Sequence, residues 1–194
     1  MTDASPIRSF VAVALPGAVQ TEIVEGARAL GLPDVKWTKK PENLHVTLKF
    51  LGPVEPKRLD ELGVAMSGAL AGVPRFELSL RGFGAFPTAR NAKIVYAGVA
   101  GGRDRLAAVA SVVEDVTERL GFAREARVFT GHVTVGRCEK RNGVDARVAL
   151  EPWADRALGT VAVDEVHVYE SRLATMAGQG STYVLRSRAA LGAN

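Results

Sequence analysis

Hydrophobic and polar residues follow one another along this chain in blocks that predict strands and helices in turn. FVAVALP (10–16) is a short apolar run ended by a proline, which is typical of a buried strand. Between residues 18 and 30 the apolar positions recur at helical spacing, and Gly31 then predicts the helix C-cap. The strand HVTLKFL (45–51) follows, and Pro56 opens a second helix that runs to about residue 70.

The middle of the chain repeats this order. Residues 76–86 alternate apolar and polar positions, as a half-buried strand does, and residues 92–100 predict a more apolar strand. A helix is predicted over 103–120 with Gly121 as its C-cap, and HVTVGR (132–137) is the next strand. Two strand–helix–strand runs, each ending in His-Val-Thr, indicate an internal repeat.

The C-terminal part adds strands at about 160–170 and 181–187, with a turn predicted at MAGQG (176–180). We therefore predict an α+β fold of two pseudo-symmetric lobes, each an antiparallel sheet with helices packed outside, around a central groove. Because no linker rich in Pro, Gly and Ser divides the lobes, we expect a single two-lobed domain over residues 1–194.

His-Val-Thr occurs twice in a chain that has only three histidines. Strand alternation predicts that three polar side chains of the first copy share one face: His45, Thr47 and Lys49. It places three apolar side chains on the other face: Val46, Leu48 and Phe50. In the second copy His132 and Thr134 share a face in the same way. If a pseudo-two-fold axis relates the lobes, the two polar pairs lie around one small volume.

Two imidazoles and two hydroxyls in one place suit the cleavage of a phosphodiester. A neutral imidazole can take a proton from the attacking oxygen while a charged one protonates the leaving oxygen, because a pKa near 6.5 lets both forms exist near neutrality. Threonine hydroxyls can donate hydrogen bonds to the non-bridging phosphate oxygens. This chemistry requires no metal and no other cofactor.

Other roles for these histidines are less consistent with the pattern. A lone strand histidine is more often structural than catalytic, but two of three histidines in identical tripeptides favour catalysis. A zinc site needs three or four ligands, and neither tripeptide offers a second nitrogen, sulfur or carboxylate ligand on its face. His167 has no threonine partner and no parallel copy, which favours a plain strand residue.

Composition and charge narrow the class of partner. The chain has 194 residues, of which 47% are hydrophobic, and it has no apolar run long enough to cross a bilayer, so we expect no membrane partner. The formal net charge of +4 favours an anionic partner, although the arginines are spread along the chain and do not indicate a long nucleic-acid track. A single cysteine, Cys138, and an N-terminus that shows no signal peptide predict a cytoplasmic protein. We expect a monomer.

Two stretches, NLHVTLKFLG (43–52) and GHVTVGR (131–137), resemble the paired His-x-Thr motifs of the two-histidine phosphoesterases. More narrowly, the chain resembles the bacterial RNA 2′,3′-cyclic phosphodiesterases, also called 2′-5′ RNA ligases. Further matches are RSFVAVALP near the start, Trp37, VYESRL (168–173), Gly180 and Tyr183. The likeness therefore covers nearly the whole chain, with Gly131 as a departure where many members have proline.

The resemblance implies hydrolysis of RNA 2′,3′-cyclic phosphate ends to 2′-phosphomonoesters without a metal. RNA ends or nucleotides bearing that group are the expected partners, and some members also run the reverse 2′-5′ ligation. By similarity His45 is the acid at the 3′ oxygen and His132 is the base at water.

The resemblance also implies that Thr47, Thr134 and Arg137 bind the phosphate. By strict alternation Arg137 points away from the second histidine, so it reaches the groove only if the strand bends near Gly136. Phe10 and Trp37 are candidates to stack on a base, although both could be plain core aromatics.

Two alternative functions use the same fold. A non-catalytic binder of RNA ends or nucleotides would grip phosphate in the same groove, but loss of one histidine would be its signature and both are present. A hydrolase of another small cyclic phosphate, such as a nucleoside cyclic phosphate or an ADP-ribose derivative, would share every catalytic residue and differ only in the walls of the groove.

Overall fold

The computed structural model describes residues 5–172 and 180–193, which form nine strands and four α-helices. The strands are β1 (Ile7–Ala14), β2 (Val35–Trp37), β3 (His45–Val54), β4 (Phe76–Thr88), β5 (Asn91–Gly101), β6 (His132–Cys138), β7 (Ala157–Val163), β8 (Glu165–Arg172) and β9 (Thr182–Ala190). The helices are α1 (Gly17–Ala29), α2 (Pro56–Leu70), α3 (Arg103–Arg119) and α4 (Arg147–Leu150), with short 3₁₀ helices at Pro41–Asn43 and Glu151–Trp153.

The helices predicted from the spacing of apolar residues are confirmed. Gly31 and Gly121 follow the ends of α1 and α3 with φ angles of 61° and 82°. Glycine enters this left-handed conformation at little cost, which is why the chain can leave the helix there. The turn predicted at 176–180 lies outside the described residues except for Gly180.

The described strands belong to one antiparallel sheet in the order β7-β4-β5-β6-β3-β1-β8-β9, with β2 paired to β6. The run predicted as strand at 160–170 is split at Asp164 into β7 and β8. β7 pairs with β4 and β8 pairs with β1, so one residue of chain separates strands that lie near opposite ends of the sheet order. The sheet must therefore curl into a half-barrel.

The two copies of the repeat form the two halves of this sheet. In one half β1 pairs with β3, and in the other β5 pairs with β6. The halves join where β3 and β6 run antiparallel, with Val46 opposite Val133. The predicted fold class, two antiparallel half-sheets with helices outside and a groove between them, is confirmed.

Each crossover helix packs against the opposite half of the sheet. α1 connects β1 to β3 but contacts β6 and β7, and its Gly26 lies against the rings of Phe83 and Trp153. α3 connects β5 to β6 but packs mainly on α2 and β3, with a smaller contact to β4. The halves consequently share one hydrophobic core, and separating them would expose the buried face of both helices.

A buried ion pair ties the first motif strand to α3. The Nζ of Lys49 lies 2.6 Å from a carboxylate oxygen of Glu114, and it also donates to the carbonyl of Ala123 at 2.8 Å. Only 3% of the Lys49 side chain is exposed. The pair therefore fixes β3 against the helix and against the segment that leads to the second motif.

Removal of Glu114 should destabilise the fold strongly. Glu114→Ala leaves the buried ammonium of Lys49 without a counter-charge, and we expect the free energy of unfolding to fall by about 3 kcal/mol. The matched control is Glu139→Ala, which breaks an ion pair with Lys36 whose side chains are 72% and 55% exposed. That change should cost about 0–1 kcal/mol. Urea denaturation measures both, and equal losses would contradict the role of the buried pair.

Candidate active site

The two His-Val-Thr strands lie side by side at the centre of the sheet. Val46 and Val133 face each other across the β3–β6 junction, and both are fully buried. On the opposite face the antiparallel register brings four polar side chains together: His45 beside Thr134, and Thr47 beside His132. Diagonal neighbours on such a pair are about 7–8 Å apart, so the two imidazoles flank a space that suits a phosphate group.

Each imidazole is held by the same kind of backbone hydrogen bond. The Nδ1 of His45 lies 2.6 Å from the carbonyl oxygen of Asn43, and the Nδ1 of His132 lies 2.8 Å from that of Thr130. Because a carbonyl oxygen only accepts, Nδ1 donates in both rings, and Nε2 is the unprotonated nitrogen of the neutral form. Nε2 is therefore the atom of each ring that can exchange a proton with substrate.

Aromatic rings enclose His45. Phe10 stacks on it at a centroid distance of 4.8 Å, and Tyr183 meets it edge-on at 5.3 Å. Burial lowers the pKa of His45 below 6.5; the hydrogen bond to the carbonyl of Asn43 opposes this shift, and the nearby His132 adds to it.

Phe10, whose ring packs against His45, is only 3% exposed. Its ring is stacked with the imidazole and also with the ring of Tyr169, at a centroid distance of 5.3 Å. Phe10 nevertheless lies among the residues that line the groove described below, and a base-stacking role for it stays a prediction.

His132 has an aromatic support of its own from the other half of the sheet. Phe86 and Tyr96 meet its ring edge-on at centroid distances of 5.1 Å and 5.5 Å, and they stack on each other at 4.4 Å. Sequence reasoning missed both residues. Tyr96 pairs with Thr134 as Ala12 pairs with Thr47, so the residue equivalent to Tyr96 in the first half is an alanine. A comparison of the two halves therefore could not predict an aromatic side chain beside His132.

A β-bulge follows each His-x-Thr motif. The residue pairing skips Leu48 in β3 and Val135 in β6. An extra residue in one strand turns the following side chains to the other face of the sheet. Both strands consequently show the same order of burial, in which two buried residues are followed by an exposed one.

The bulges decide which side chains reach the groove. Arg137 lines it, as the expected bend near Gly136 required. In the first half Phe50 takes the equivalent place and is 70% exposed. The prediction that Lys49 shares a face with the histidine was wrong, and so was the placement of Phe50 among the buried residues, because simple alternation does not hold across a bulge.

The groove along these strands is a cavity of about 540 Å³. Its lining includes His45 and the three side chains expected at the phosphate: Thr47, Thr134 and Arg137. It also includes five cationic side chains: Arg8, Lys36, Lys39, Lys40 and Arg137. No carboxylate is found among the described residues that line it, so the groove is suited to an anion.

Trp37 borders the same groove from β2. A Cβ atom at Gly136 would lie 2.7 Å from its ring, so the absence of a side chain at Gly136 allows the indole to cover the second motif strand. The ring is half-buried. A stacking role for Trp37 stays a prediction.

His167 is a strand residue, as predicted. It is buried in β8, with Nδ1 2.7 Å from the hydroxyl of Tyr169 and Nε2 2.6 Å from a carboxylate oxygen of Glu165. Both ring nitrogens are thus occupied within the protein, so His167 serves the packing of the sheet.

Within residues 5–172 and 180–193, no three His, Cys, Asp or Glu side chains come close enough together to hold a metal ion. In the same part of the chain, no helix has the length and apolar character needed to cross a membrane. Cys138, at the end of β6, is a half-buried free thiol.

Comparison with known proteins assigns the chain to a family. Residues 13–96 match the model of the LigT like phosphoesterase family. The RNA 2′,3′-cyclic phosphodiesterase of Aeropyrum pernix is 34% identical over 137 residues, which cover 70% of this chain and 77% of that relative. The chain belongs to the LigT like phosphoesterase family. The family resemblance carried by the two motifs is thereby confirmed.

Another relative and two solved structures resemble this chain over most of its length. The RNA 2′,3′-cyclic phosphodiesterase of Archaeoglobus fulgidus is 30% identical over 168 residues, 86% of this chain and 92% of the relative. The crystal structure of E. coli LigT complexed with 3′-AMP superposes with a TM-score of 0.76 at 25% identity, covering 96% of this chain and 98% of that one. TT0787 of Thermus thermophilus, at 20% identity and a TM-score of 0.78, shows the shared fold.

The proton positions of the two histidines can be measured by NMR. We expect neutral His45 and His132 to carry the proton on Nδ1, because a carbonyl oxygen accepts from that atom. Since burial lowers the pKa of His45, this residue should be more than half neutral at pH 6.5 and should take up its proton only as the pH falls further. Long-range ¹H–¹⁵N spectra over a pH series report both properties, and single His→Asn variants assign the signals. A midpoint above 6.5 for His45, or a proton on Nε2, would contradict the geometry.

Proposed function

We propose that this protein hydrolyses RNA 2′,3′-cyclic phosphate ends to 2′-phosphomonoesters by acid–base catalysis with two histidines and no metal. The observation that carries the proposal is the pair of imidazoles on one face with two threonines, each imidazole held through Nδ1 so that Nε2 is the nitrogen left to exchange a proton. The relatives from Aeropyrum pernix and Archaeoglobus fulgidus, both RNA 2′,3′-cyclic phosphodiesterases, support it.

The proposed reaction uses the two Nε2 atoms in opposite protonation states. His132, neutral, takes a proton from water as the water oxygen attacks phosphorus. The bond from phosphorus to the ribose 3′ oxygen breaks, and His45, charged, gives its proton to that oxygen. Each such transfer typically contributes ~10²–10⁴-fold to the rate. The products are a 2′-phosphomonoester and a free 3′ hydroxyl.

The acid role of His45 depends on the substrate. In the protein alone, burial lowers its pKa and so favours the neutral form, which cannot act as an acid. A phosphodiester anion between the rings acts in the opposite direction, because a negative charge stabilises the imidazolium. Binding of the phosphate therefore prepares the acid, and the rate should follow a bell-shaped dependence on pH.

The phosphate ligands in this proposal are Thr47, Thr134 and Arg137. Thr47 lies beside one imidazole and Thr134 beside the other, so the two hydroxyls can donate to opposite sides of one phosphate. Arg137 adds a charge-assisted donor from the far side of the bulge. Together they stabilise the negative charge that develops on the non-bridging oxygens.

The groove favours an RNA end over the two alternative functions. A non-catalytic binder would not need both imidazoles to be oriented by a hydrogen bond from Nδ1 to a backbone carbonyl, and both of these hydrogen bonds are formed. A small cyclic phosphate carries one anionic group, whereas the groove is lined by five cations along its length. We infer that the neighbouring phosphates of a strand interact with these cations, and that the same site runs the reverse 2′-5′ ligation when an RNA hydroxyl replaces water.

Phe50 is the most exposed aromatic side chain among the described residues that line the groove. It is 70% exposed, and its ring lies 6.3 Å from that of the buried Phe10. Because Phe10 is buried, we assign the main stacking contact with the terminal nucleobase to Phe50, since an exposed aromatic ring beside a phosphate site is a suitable stacking platform.

Replacement of either catalytic histidine should remove nearly all activity. We expect His45→Asn and His132→Asn each to lower kcat by about 10²–10⁴-fold on an RNA oligonucleotide that ends in a 2′,3′-cyclic phosphate, with the circular dichroism spectrum unchanged. EDTA should leave the wild-type rate unaffected. Substantial turnover in either variant, or loss of wild-type activity with EDTA, would sink the two-histidine mechanism.

Loss of the Phe50 ring should weaken substrate binding. We expect Phe50→Ala to raise KM for the same oligonucleotide about tenfold with a small change in kcat, because one base–aromatic stack is removed. Phe50→Tyr keeps the ring and should keep KM. Val148→Ala changes another exposed apolar residue, 84% exposed and outside the groove, and is the matched control. A KM in Phe50→Ala equal to that of the control would refute the assignment.

A further inference from the structure

The residue that holds the imidazole of His45 is itself bound to a distant part of the chain. The carbonyl oxygen of Asn43 accepts the Nδ1 proton of His45 at 2.6 Å, and the side-chain amide of Asn43 donates to the carbonyl oxygen of Ser181 at 2.7 Å. Asn43 ends the 3₁₀ helix Pro41–Asn43, and Ser181 directly precedes β9. One residue thus joins the first histidine to a segment 138 residues away in the chain.

A second hydrogen bond joins the same two segments. The Nζ of Lys40, which precedes the 3₁₀ helix, donates to the hydroxyl oxygen of Thr182 at 2.7 Å. β9 is an end strand of the sheet order and is separated from β3 by β1 and β8, so strand pairing alone does not hold its first residues near His45. The hydrogen bonds of Lys40 and Asn43 supply that contact, and we call this pair of bonds the clasp.

The clasp lies next to an aromatic ring that covers His45. Tyr183, the second residue of β9, meets the imidazole edge-on at 5.3 Å and the ring of Phe10 at 4.8 Å. Both Ser181 and Tyr183 line the groove. Because the two residues before Tyr183 are bound to the 3₁₀ helix and the residue that precedes it, the phenol ring is kept against the imidazole and shields it from water.

The second histidine is held in a more open setting. The carbonyl that accepts its Nδ1 proton belongs to Thr130, which is exposed and lies in a segment without helix or strand. This difference suits the proposed roles. Water has to reach the base His132, whereas the acid His45 has to be kept from water so that its proton passes to the leaving oxygen.

The ionisable groups near His45 are few and mostly cationic. His132 faces it from β6, Tyr183 contacts it from β9, and Tyr169 of β8 lies behind Phe10. The groove contributes five cations: Arg8, Lys36, Lys39, Lys40 and Arg137. No carboxylate is present among the described residues that line the groove. Burial is the largest influence on the pKa of His45 and lowers it, and it exceeds the opposing effect of the hydrogen bond to the Asn43 carbonyl.

We propose that Asn43 is a positioning residue for the catalytic acid: its side-chain amide fixes the 3₁₀ helix to the start of β9, and its carbonyl oxygen holds the imidazole of His45 under the cover of Tyr183. The inference rests on the proposed function, in which His45 protonates the leaving 3′ oxygen. Asn43 acts through the imidazole, whereas the phosphate is bound by other residues. Loss of its amide should therefore lower kcat more than it changes KM.

Titration of His45 in Asn43→Ala tests this role directly. The variant keeps the backbone carbonyl but loses the hydrogen bond to Ser181, so water gains access to the ring and the pKa of His45 should rise toward 6.5. Long-range ¹H–¹⁵N spectra over a pH series measure the midpoint. His132 is the internal reference and should move less, because its carbonyl partner belongs to the other half of the sheet.

The rate of the same variant measures the catalytic effect. On the oligonucleotide that ends in a 2′,3′-cyclic phosphate, kcat of Asn43→Ala should fall about five- to tenfold with little change in KM, which is the size of effect expected from one lost hydrogen bond. The matched control is Gln20→Ala. Gln20 also donates from its side-chain amide to a backbone carbonyl, that of Leu15 at 2.9 Å, but it lies on α1 outside the groove. It should leave the His45 midpoint and kcat near those of the wild type.

Thr182→Val removes the other hydrogen bond of the clasp. It keeps a branched side chain without the hydroxyl, and it should change the His45 midpoint and kcat in the same direction by a smaller amount. Thermal unfolding midpoints check that the variants are folded. Thr182→Val decides the question alone if Asn43→Ala does not fold.

The outcomes separate this inference from the proposed function. A His45 midpoint or a kcat in the clasp variants equal to that of Gln20→Ala, or equal shifts of His45 and His132, would overturn the positioning role and leave the hydrolase intact. Absence of turnover in the wild-type protein would overturn the proposed function and the acid role with it, whereas the titration, which needs no substrate, would still show whether Asn43 keeps His45 covered.

Discussion

The antiparallel contact between Val46 and Val133 is the interaction on which the site depends. It joins the two halves of the sheet at one pair of buried residues. Because side chains alternate across a strand, burying the two valines on one face turns the neighbouring histidines and threonines to the other. The apolar residue in the middle of each motif thus positions the polar residues on either side of it, and a shift of either strand by one residue would turn the histidine and threonine of that strand into the core.

The bulge after each motif gives the two halves of a symmetric site different chemistry. The same backbone irregularity brings Phe50 to the groove in one half and Arg137 in the other. One side chain offers a flat apolar surface and the other a positive charge, which suit a base and a phosphate respectively. The buried residue directly before each of these side chains differs as well. In the first half it is Lys49, which pairs with Glu114, and in the second half it is Gly136, which is covered by Trp37. Repetition supplies the symmetric frame, and sequence divergence makes its two halves chemically different.

Because each crossover helix packs on the opposite half of the sheet, the relative position of the two motif strands depends on both halves of the chain. α1 packs on the half that carries the second motif, and α3 packs on the half that carries the first. Movement of one motif strand relative to the other would therefore disturb both helix interfaces. The imidazoles are held further by backbone carbonyls and by rings from four different strands, so their positions are set before substrate arrives.

The sequence by itself determined most of the secondary structure, the repeat and the two motifs, because hydrophobic periodicity, glycine caps and doubled tripeptides are local patterns. It did not predict β2 or α4, and it merged β7 and β8 into one strand. It also indicated that Arg137 needed a bend to reach the groove. Only the tertiary structure decided that Leu48 and Val135 are bulged, that Phe10 is covered while Phe50 is exposed, and that Phe86 and Tyr96 support His132. These features depend on which strands pair and in what register, and pairing between residues far apart in the chain leaves no mark in the local pattern of either strand.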